Sequence, residues 1–138
     1  MLRTLDISAS ALAAQRLRVD AIAGNIAHSH TTLNEAGETE PFQRRLVVLE
    51  AANERHSTPV GAVGVQATVE IDTNSPPRKV YEPGHPHADP QGYVNYPNVD
   101  VSVEMVNLVA AQRAYDANVA VVVSDKRMRQ KALEILQA

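Results

Sequence analysis

Proline is confined to the middle of this chain of 138 residues, and that distribution most constrains the fold. All eight prolines lie between Pro41 and Pro97, and five of the six glycines fall within residues 31–98. Proline costs about 3 kcal/mol inside a helix, because it lacks an amide hydrogen and its ring clashes with the preceding turn. We therefore predict a helical segment 1–30, a β-rich, proline-rich segment 31–98 and a second helical segment 99–138.

Apolar side chains recur every seven residues in the C-terminal segment. One row holds Val101, Leu108, Tyr115, Val122 and Leu136, with Arg129 as its exception. A second row holds Met105, Val119 and Leu133, with Gln112 and Lys126 interrupting it. A seven-residue repeat keeps side chains on one stripe of a helix and is typical of coiled-coil seams. A helix of roughly 35 residues is on the order of 50 Å long, well above the usual length of about 11–12 residues.

The N-terminal segment carries a matching stripe. It consists of Leu5, Leu12, Val19 and Ile26, with Ile22 and several alanines beside it. Gly24 and Asn25 predict a fraying point or a stop near the end of this helix. Two such stripes favour an α+β fold, mainly α, in which long terminal helices pair as a coiled coil.

The middle segment is predicted to form a small antiparallel β unit. Residues 42–52 and 62–72 are the two main strand candidates, and the second alternates well. Its half-buried face would hold Val63, Val65, Ala67, Val69 and Ile71. A short extended piece is predicted over 78–81, a loop over 82–90 and another over 31–41, with a turn at Asn34-Glu35-Ala36-Gly37.

Composition excludes several classes of function. The net charge is −3, and no segment is basic enough to attract a phosphate backbone, so no nucleic acid is expected as a partner. Cysteine is absent, which excludes disulfides, thiolate metal sites and cysteine nucleophiles. No run approaches the ~20 apolar residues of a membrane span. The N-terminus lacks the layout of a cleavable signal, so we expect a soluble, unprocessed chain.

The candidates for chemistry are weak. His85, His87 and Asp89 would bind a metal only by converging with His28 and His30, and Pro86 favours a rigid connector whose imidazoles pack or cap. We therefore expect no metal, no cofactor, no small-molecule substrate and no enzyme activity. Arg113 and Asp116 lie inside the long helix and are interpreted as an ion pair or a register contact of a seam.

The long stripes instead predict association. Fewer than 70 residues lie between the helical segments, too few to cover both helices along their length. Exposed apolar strips usually mark an interface, and a head-to-tail interface that does not close produces a filament. Asn25, Asn118 and Arg113 are candidates for polar register contacts. The predicted interface consists of Leu5, Leu12, Val19, Ile22, Asn25, Ile26, Met105, Leu108, Arg113, Tyr115, Asn118, Val119 and Val122.

Several stretches of the chain resemble the axial proteins of the bacterial flagellum. The N-terminal stretch is Leu5-Asp6-Ile7-Ser8-Ala9-Ser10-Ala11-Leu12, followed by Gly24-Asn25-Ile26-Ala27 and Thr31-Thr32. Two later blocks are similar to proximal rod subunits of that family, and they contain Val80-Tyr81-Glu82-Pro83-Gly84, Pro97-Asn98-Val99-Asp100 and Arg113-Ala114-Tyr115. Gly24 and His28 depart from the family's commoner residues. The resemblance spans nearly the whole chain in order.

The resemblance implies a non-enzymatic subunit of the flagellar basal-body rod, which links the motor's membrane ring to the hook. It implies self-association, contacts with other rod proteins, membrane-ring proteins and adaptors, and export through the flagellar type III apparatus to the periplasm without a cleaved signal. Two alternatives stay open. A cytoplasmic helical adaptor would bind a single protein partner through the same stripes, and a small metal-dependent hydrolase would hold its metal through His85 and His87.

Overall fold

The computed structural model describes residues 2–34, 36–52 and 64–137 and has a helix at each end. Helix α1 spans Leu2–Ala27 and helix α2 spans Val101–Gln137. The two predicted terminal helices are confirmed, and α2 has 37 residues against the predicted length of roughly 35. In the described part of the chain, neither helix is long and apolar enough to cross a bilayer.

The ends of the helices follow from local hydrogen bonds. Asp100 caps α2, because its carboxylate accepts the amide hydrogen of Ser102 at 2.8 Å and satisfies a donor that the first turn leaves free. The predicted fraying point or stop at Gly24 and Asn25 lies two to three residues before the observed end of α1, which is less than one turn. The helix continues to Ala27, since the Asn25 side chain bonds sideways to a neighbouring strand instead of capping its own helix.

Four short strands form the described middle of the chain, which confirms antiparallel β structure there, although as two sheets and not as the one predicted unit. Their bounds are Arg45–Ala51 for β1, Val65–Ile71 for β2, Arg78–Tyr81 for β3 and Tyr93–Tyr96 for β4. They make two separate two-stranded sheets, β1 with β2 and β3 with β4. The second is antiparallel, and its register places Arg78 opposite Tyr96 and Tyr81 opposite Tyr93. The predicted loops and the turn between Asn34 and Gly37 are also present.

The predicted half-buried face of β2 is only partly correct. Val65 and Ala67 are half-buried, whereas Val69 and Ile71 are exposed. A two-stranded sheet buries a face only where another element lies against it, and α1 contacts β2 at Val65. The predictions for Glu35, Ala62 and Val63, and for the side chain of Leu136, lie outside the described residues.

The chain divides into two compact units. The first unit comprises Met1–Val19, Val48–Thr68 and Val109–Ala138. Within it, the Ser10 hydroxyl accepts the Val65 amide hydrogen at 3.0 Å. A Cβ on Gly64 would lie 2.9 Å from the same hydroxyl oxygen, so a larger residue there would displace this contact. Ala14 and Ala111 are the buried apolar residues of the unit among those described.

The second unit comprises Asp20–Val47 and Val69–Leu108. Its buried apolar residues are Ala21, Ile22, Val94, Tyr96 and Val99, from α1, β4 and the approach to α2. Two polar side chains, Asn25 and Glu104, are buried as deeply as this core, with 1% of each residue exposed. Buried polar groups are stable only when they are hydrogen-bonded, so these two residues define the most constrained point of the unit.

Candidate functional site

The row of α2 residues that is covered within the chain lies one residue before the predicted second row. The row Glu104, Ala111, Asn118 and Asp125 is buried or half-buried, at a spacing of seven. The predicted second row begins one residue later, and its members Met105, Val119 and Leu133 are exposed. Apolar periodicity did not indicate the row that is covered within the chain, because that row is made of small and polar residues. The assembly role of the exposed row remains a prediction.

The other predicted rows are half-covered within the chain. Val101, Leu108 and Val122 of α2 are half-buried, and so are Leu5, Leu12, Val19 and Ile26 of α1. Ile22 is buried and Tyr115 is exposed. In the first unit, Val19 and Tyr115 are brought to one open groove, which Arg16, Gln112 and Asp116 also line.

Asn25 is the centre of a polar network in the second unit. Its side-chain oxygen accepts the amide hydrogen of Arg45 at 2.8 Å, and its side-chain nitrogen donates to the carbonyl oxygen of Arg45, also at 2.8 Å. The same nitrogen donates to a Glu104 carboxylate oxygen at 3.2 Å. The Asn25 amide therefore ties α1 to the first residue of β1 and to the first turn of α2.

Glu104 closes the network from the side of α2. Its second carboxylate oxygen accepts two hydrogen bonds from the Arg44 guanidinium, with the Nε–Oε1 distance at 3.0 Å. A buried carboxylate is stable only when it is paired and hydrogen-bonded, and removing its partner leaves an uncompensated charge. We name Asn25, Arg44 and Glu104 the polar clamp. Glu104 and Arg44 were missed by sequence reasoning, although a charged residue on a covered helical row is the signal that could have indicated them.

The remaining polar candidates differ in their contacts. Asn118 is half-buried and Arg113 is exposed. Arg113 and Asp116 form no ion pair with each other, and their interpretation as a register contact of a seam remains a prediction. Farther along α2, Asp125 pairs with Arg129 at 2.7 Å.

The histidines of the middle segment make packing and hydrogen-bond contacts. The ring centroids of His85 and His87 are 5.1 Å apart, and Nδ1 of His87 lies 2.9 Å from the Thr32 hydroxyl. His85 also packs edge-on against Tyr96. Among the described residues, no group of three or more histidine, aspartate or glutamate side chains is arranged to hold a metal ion. The prediction that the imidazoles of this loop pack or cap is thus confirmed.

Among the residues that the structure describes, two ionisable groups have clearly shifted pKa values. The Ser75 hydroxyl donates to Asp72 at 2.7 Å and lowers the pKa of that carboxyl below its usual value. The hydroxyl of Tyr96 donates to Glu82 at 3.0 Å, and this bond raises the pKa of the tyrosine. The largest cause of each shift is one side-chain hydrogen bond, which is typical of structural contacts and does not indicate a general acid or base.

Comparison with known proteins gives a consistent result. The family described as "Flagellar basal body rod FlgEFG protein C-terminal" matches residues 91–135. The flagellar basal-body rod protein FlgC of Bacillus subtilis (strain 168) is 38% identical, over 96% of this chain and 95% of its own length. Its namesakes in Escherichia coli O6:H1 and in Salmonella typhimurium are each 39% identical, over 99% of this chain and 98% of theirs.

These relatives align along nearly the whole chain, so the matched region includes both terminal helices, the strands and the polar clamp. Identity of this extent shows common descent and a shared fold, and it agrees with the helix–strand–helix order of the structure. The protein therefore belongs to the FlgC family of flagellar basal-body rod proteins.

Proposed function

We propose that this protein polymerises through its terminal helices into the proximal part of the flagellar rod, the basal-body structure of which its family is a structural component. The observation that carries the proposal is the surface of α2. Large apolar side chains are exposed along the helix, namely Val103, Met105, Val106, Val109, Tyr115, Val119, Val121, Val123, Met128, Leu133 and Ile135. An apolar surface of this extent is rare on a monomer and usually marks an interface.

The distribution of these side chains favours a polymer. They lie on several sides of α2, and the exposed row of Met105, Val119 and Leu133 differs from the covered row. A helix that offers more than one apolar side can contact more than one neighbour. Repeated contacts between unlike surfaces of identical subunits produce an open helical filament when their rotation does not close.

The proposal includes the predicted partners and location. The subunit would contact like subunits, other rod proteins, and basal-body ring and adaptor proteins, and would reach the periplasmic rod through the flagellar type III export apparatus. Its three segments 1–30, 31–98 and 99–138 would act as two helical assembly domains and a middle β region. The terminal helices would pair as a coiled coil in the assembled rod, where burial between subunits offsets the ordering of the chain.

The two alternatives have less support. An adaptor would form a finite complex and would not be exported, whereas the relatives named above are basal-body rod proteins. A metal-dependent hydrolase needs converging ligands, and His85 and His87 are engaged with Tyr96 and Thr32 within the described part of the chain. Substituting both histidines by alanine should accordingly leave assembly unchanged.

The test uses one substitution at two sites of similar exposure. Val119 in α2 is 37% exposed and Val69 in β2 is 40% exposed. We expect Val119→Asp to leave the monomer folded and soluble but to prevent incorporation into basal bodies, because it puts a charge into an apolar contact between subunits. Val69→Asp, outside the terminal helices, should incorporate normally.

The experiment is done in the bacterium that encodes the chain, with the chromosomal copy replaced. Swimming and the amount of the subunit in purified basal bodies are measured for both variants, and circular dichroism checks the folding of the purified proteins. Normal swimming with Val119→Asp as the sole copy would contradict assembly through α2. Equal loss for both variants would contradict the specific role of the terminal helices.

A further inference from the structure

Both helices of the first unit carry an outward row of alanines and opposite charges. On α1, the exposed row contains Asp6, Ala9, Ala13 and Arg16, at helical spacings of three and four. On α2, the corresponding exposed surface contains Asp116, Ala117, Ala120, Ser124 and Arg127. Small side chains allow helices to approach closely, and the charges at the ends of each row restrict which partner fits.

The two rows point away from the covered faces of their helices. Ala120, which is exposed, lies nine residues after the fully buried Ala111. Nine residues are about two and a half turns at ~3.6 residues per turn, so the two residues lie on opposite sides of α2. Ala13 is likewise exposed beside Ala14, of which 3% is exposed. The middles of the two rows are therefore free to meet a neighbouring molecule.

The four terminal charges of the rows are not paired in the structure. Asp6, Arg16, Asp116 and Arg127 are all exposed, and none of them forms an ion pair with another described residue. Each row has its acid at the N-terminal end and its base at the C-terminal end. A parallel arrangement of the two rows would bring like charges together, whereas an antiparallel one places each acid opposite a base.

The spacing of the charges also agrees. Ten residues separate Asp6 from Arg16 and eleven separate Asp116 from Arg127. At about 1.5 Å per residue, these intervals are roughly 15 and 16–17 Å. Long arginine side chains accommodate the difference of one residue. With Asp6 opposite Arg127, Ala13 lies opposite Ala120, because both pairs of residue numbers sum to 133.

We infer that the outward row of α1 docks antiparallel on the outward row of α2 of a second copy, with Asp6 paired to Arg127 and Arg16 to Asp116. The inference rests on the proposed function and specifies the surface, the orientation and the register of one contact between subunits. A second copy is the occupant because the chain itself supplies both complementary rows. The two faces are unlike, so the contact is head-to-tail and continues from copy to copy.

The absence of cysteine from the chain makes a direct test possible. We would express Ala13→Cys with Ala120→Cys in one chain, in place of the natural copy, and oxidise purified basal bodies mildly. A disulfide needs Cβ atoms about 3.5–4.5 Å apart. The expected result is a ladder of covalent multimers, because a head-to-tail contact repeats from copy to copy, while each single variant stays at the size of the monomer.

The matched control also carries two cysteines, but on the covered sides of the helices, as Ala14→Cys with Ala111→Cys. This control should give no ladder. Arg16 and Asp116 line one groove of a single chain, so contacts within a copy must be separated from contacts between copies. Co-expressed single variants do this, because a covalent dimer then joins two different chains. A double variant that incorporates but remains monomeric, or that cross-links within one chain, overturns the inference and leaves the proposed function intact.

Charge reversal supplies a second measurement that does not depend on the cysteines. Asp6→Arg or Arg127→Asp alone should lower incorporation into basal bodies at least tenfold. The two substitutions together should restore at least half of the normal incorporation, because the ion pair forms again with its acid and base exchanged. A double variant as defective as the single ones overturns the inference. Absence of the unsubstituted chain from basal bodies would instead refute the proposed function.

Discussion

The polar clamp allows one quantitative prediction from the structure. Asn25→Ala removes three hydrogen bonds, two to the main chain of Arg45 and one to Glu104. The substitution takes away a side chain that is buried with 1% of its surface exposed. It leaves a strand amide, a strand carbonyl and a buried carboxylate without the partner that they have in the native protein.

The expected loss follows from the groups that become unsatisfied. A buried donor or acceptor that loses its partner costs about 1–3 kcal/mol. The Arg45 groups are only partly buried, so water replaces part of their bonding, and Glu104 keeps its bonds to Arg44. We therefore expect a loss of about 2–4 kcal/mol in the free energy of unfolding, against a total of about 5–15 kcal/mol for a typical domain.

Urea unfolding of the purified monomer, followed by far-ultraviolet circular dichroism, measures this loss. The matched control is Asn95→Ala, because Asn95 is exposed on β4 and surface substitutions usually change stability by less than about 0.5 kcal/mol. Asn25→Asp should be at least as harmful as Asn25→Ala, since it places a second carboxylate 3.2 Å from Glu104. A loss below about 0.5 kcal/mol for Asn25→Ala would refute the reasoning that the clamp stabilises the fold.

Two further predictions concern the glycines and acid stability. Gly24→Ala should raise the free energy of unfolding by about 0.5–1 kcal/mol, because nothing lies within 4 Å of the added Cβ. Gly64→Ala should lower it, because the Cβ would meet the Ser10 hydroxyl at 2.9 Å. Urea unfolding of both variants checks these opposite signs. The Ser75 hydroxyl bond lowers the pKa of Asp72, so this carboxylate contributes stability above its unfolded pKa of about 3.9 that is lost as pH falls through its folded pKa. Asp72→Asn should reduce the drop in stability between about pH 5 and pH 3, and an unchanged drop would contradict the assignment.

The order of elements could be predicted from the sequence because it depends on local chemistry. The confinement of proline to the middle segment permits helices only at the ends, and both helices are present. Alternation indicated β2, although Val69 and Ile71 proved to be exposed. Alternation reports which residues share a face of a strand. It does not report whether another element covers that face.

The polar clamp could not be predicted from the same patterns. Asn25 and Glu104 are 79 positions apart in the chain, and asparagine, like glycine, is common just after the end of a helix. In the structure, Asn25 lies within α1, and its side-chain amide joins that helix to β1 and to α2. The covered row of α2 was missed for a related reason, since Glu104, Ala111, Asn118 and Asp125 have none of the bulk by which a seam is recognised.

The most direct test of the account is to locate the protein in the bacterium that encodes it. Basal bodies would be purified from cells in which the chain carries a small internal tag as the sole copy, and from cells in which its gene is deleted, and the subunits would be quantified by mass spectrometry. We predict that the tagged chain copurifies with the other rod proteins, and that deletion removes the rod and abolishes swimming. A chain that is absent from basal bodies in motile cells would contradict the claim that it is a structural subunit of the rod.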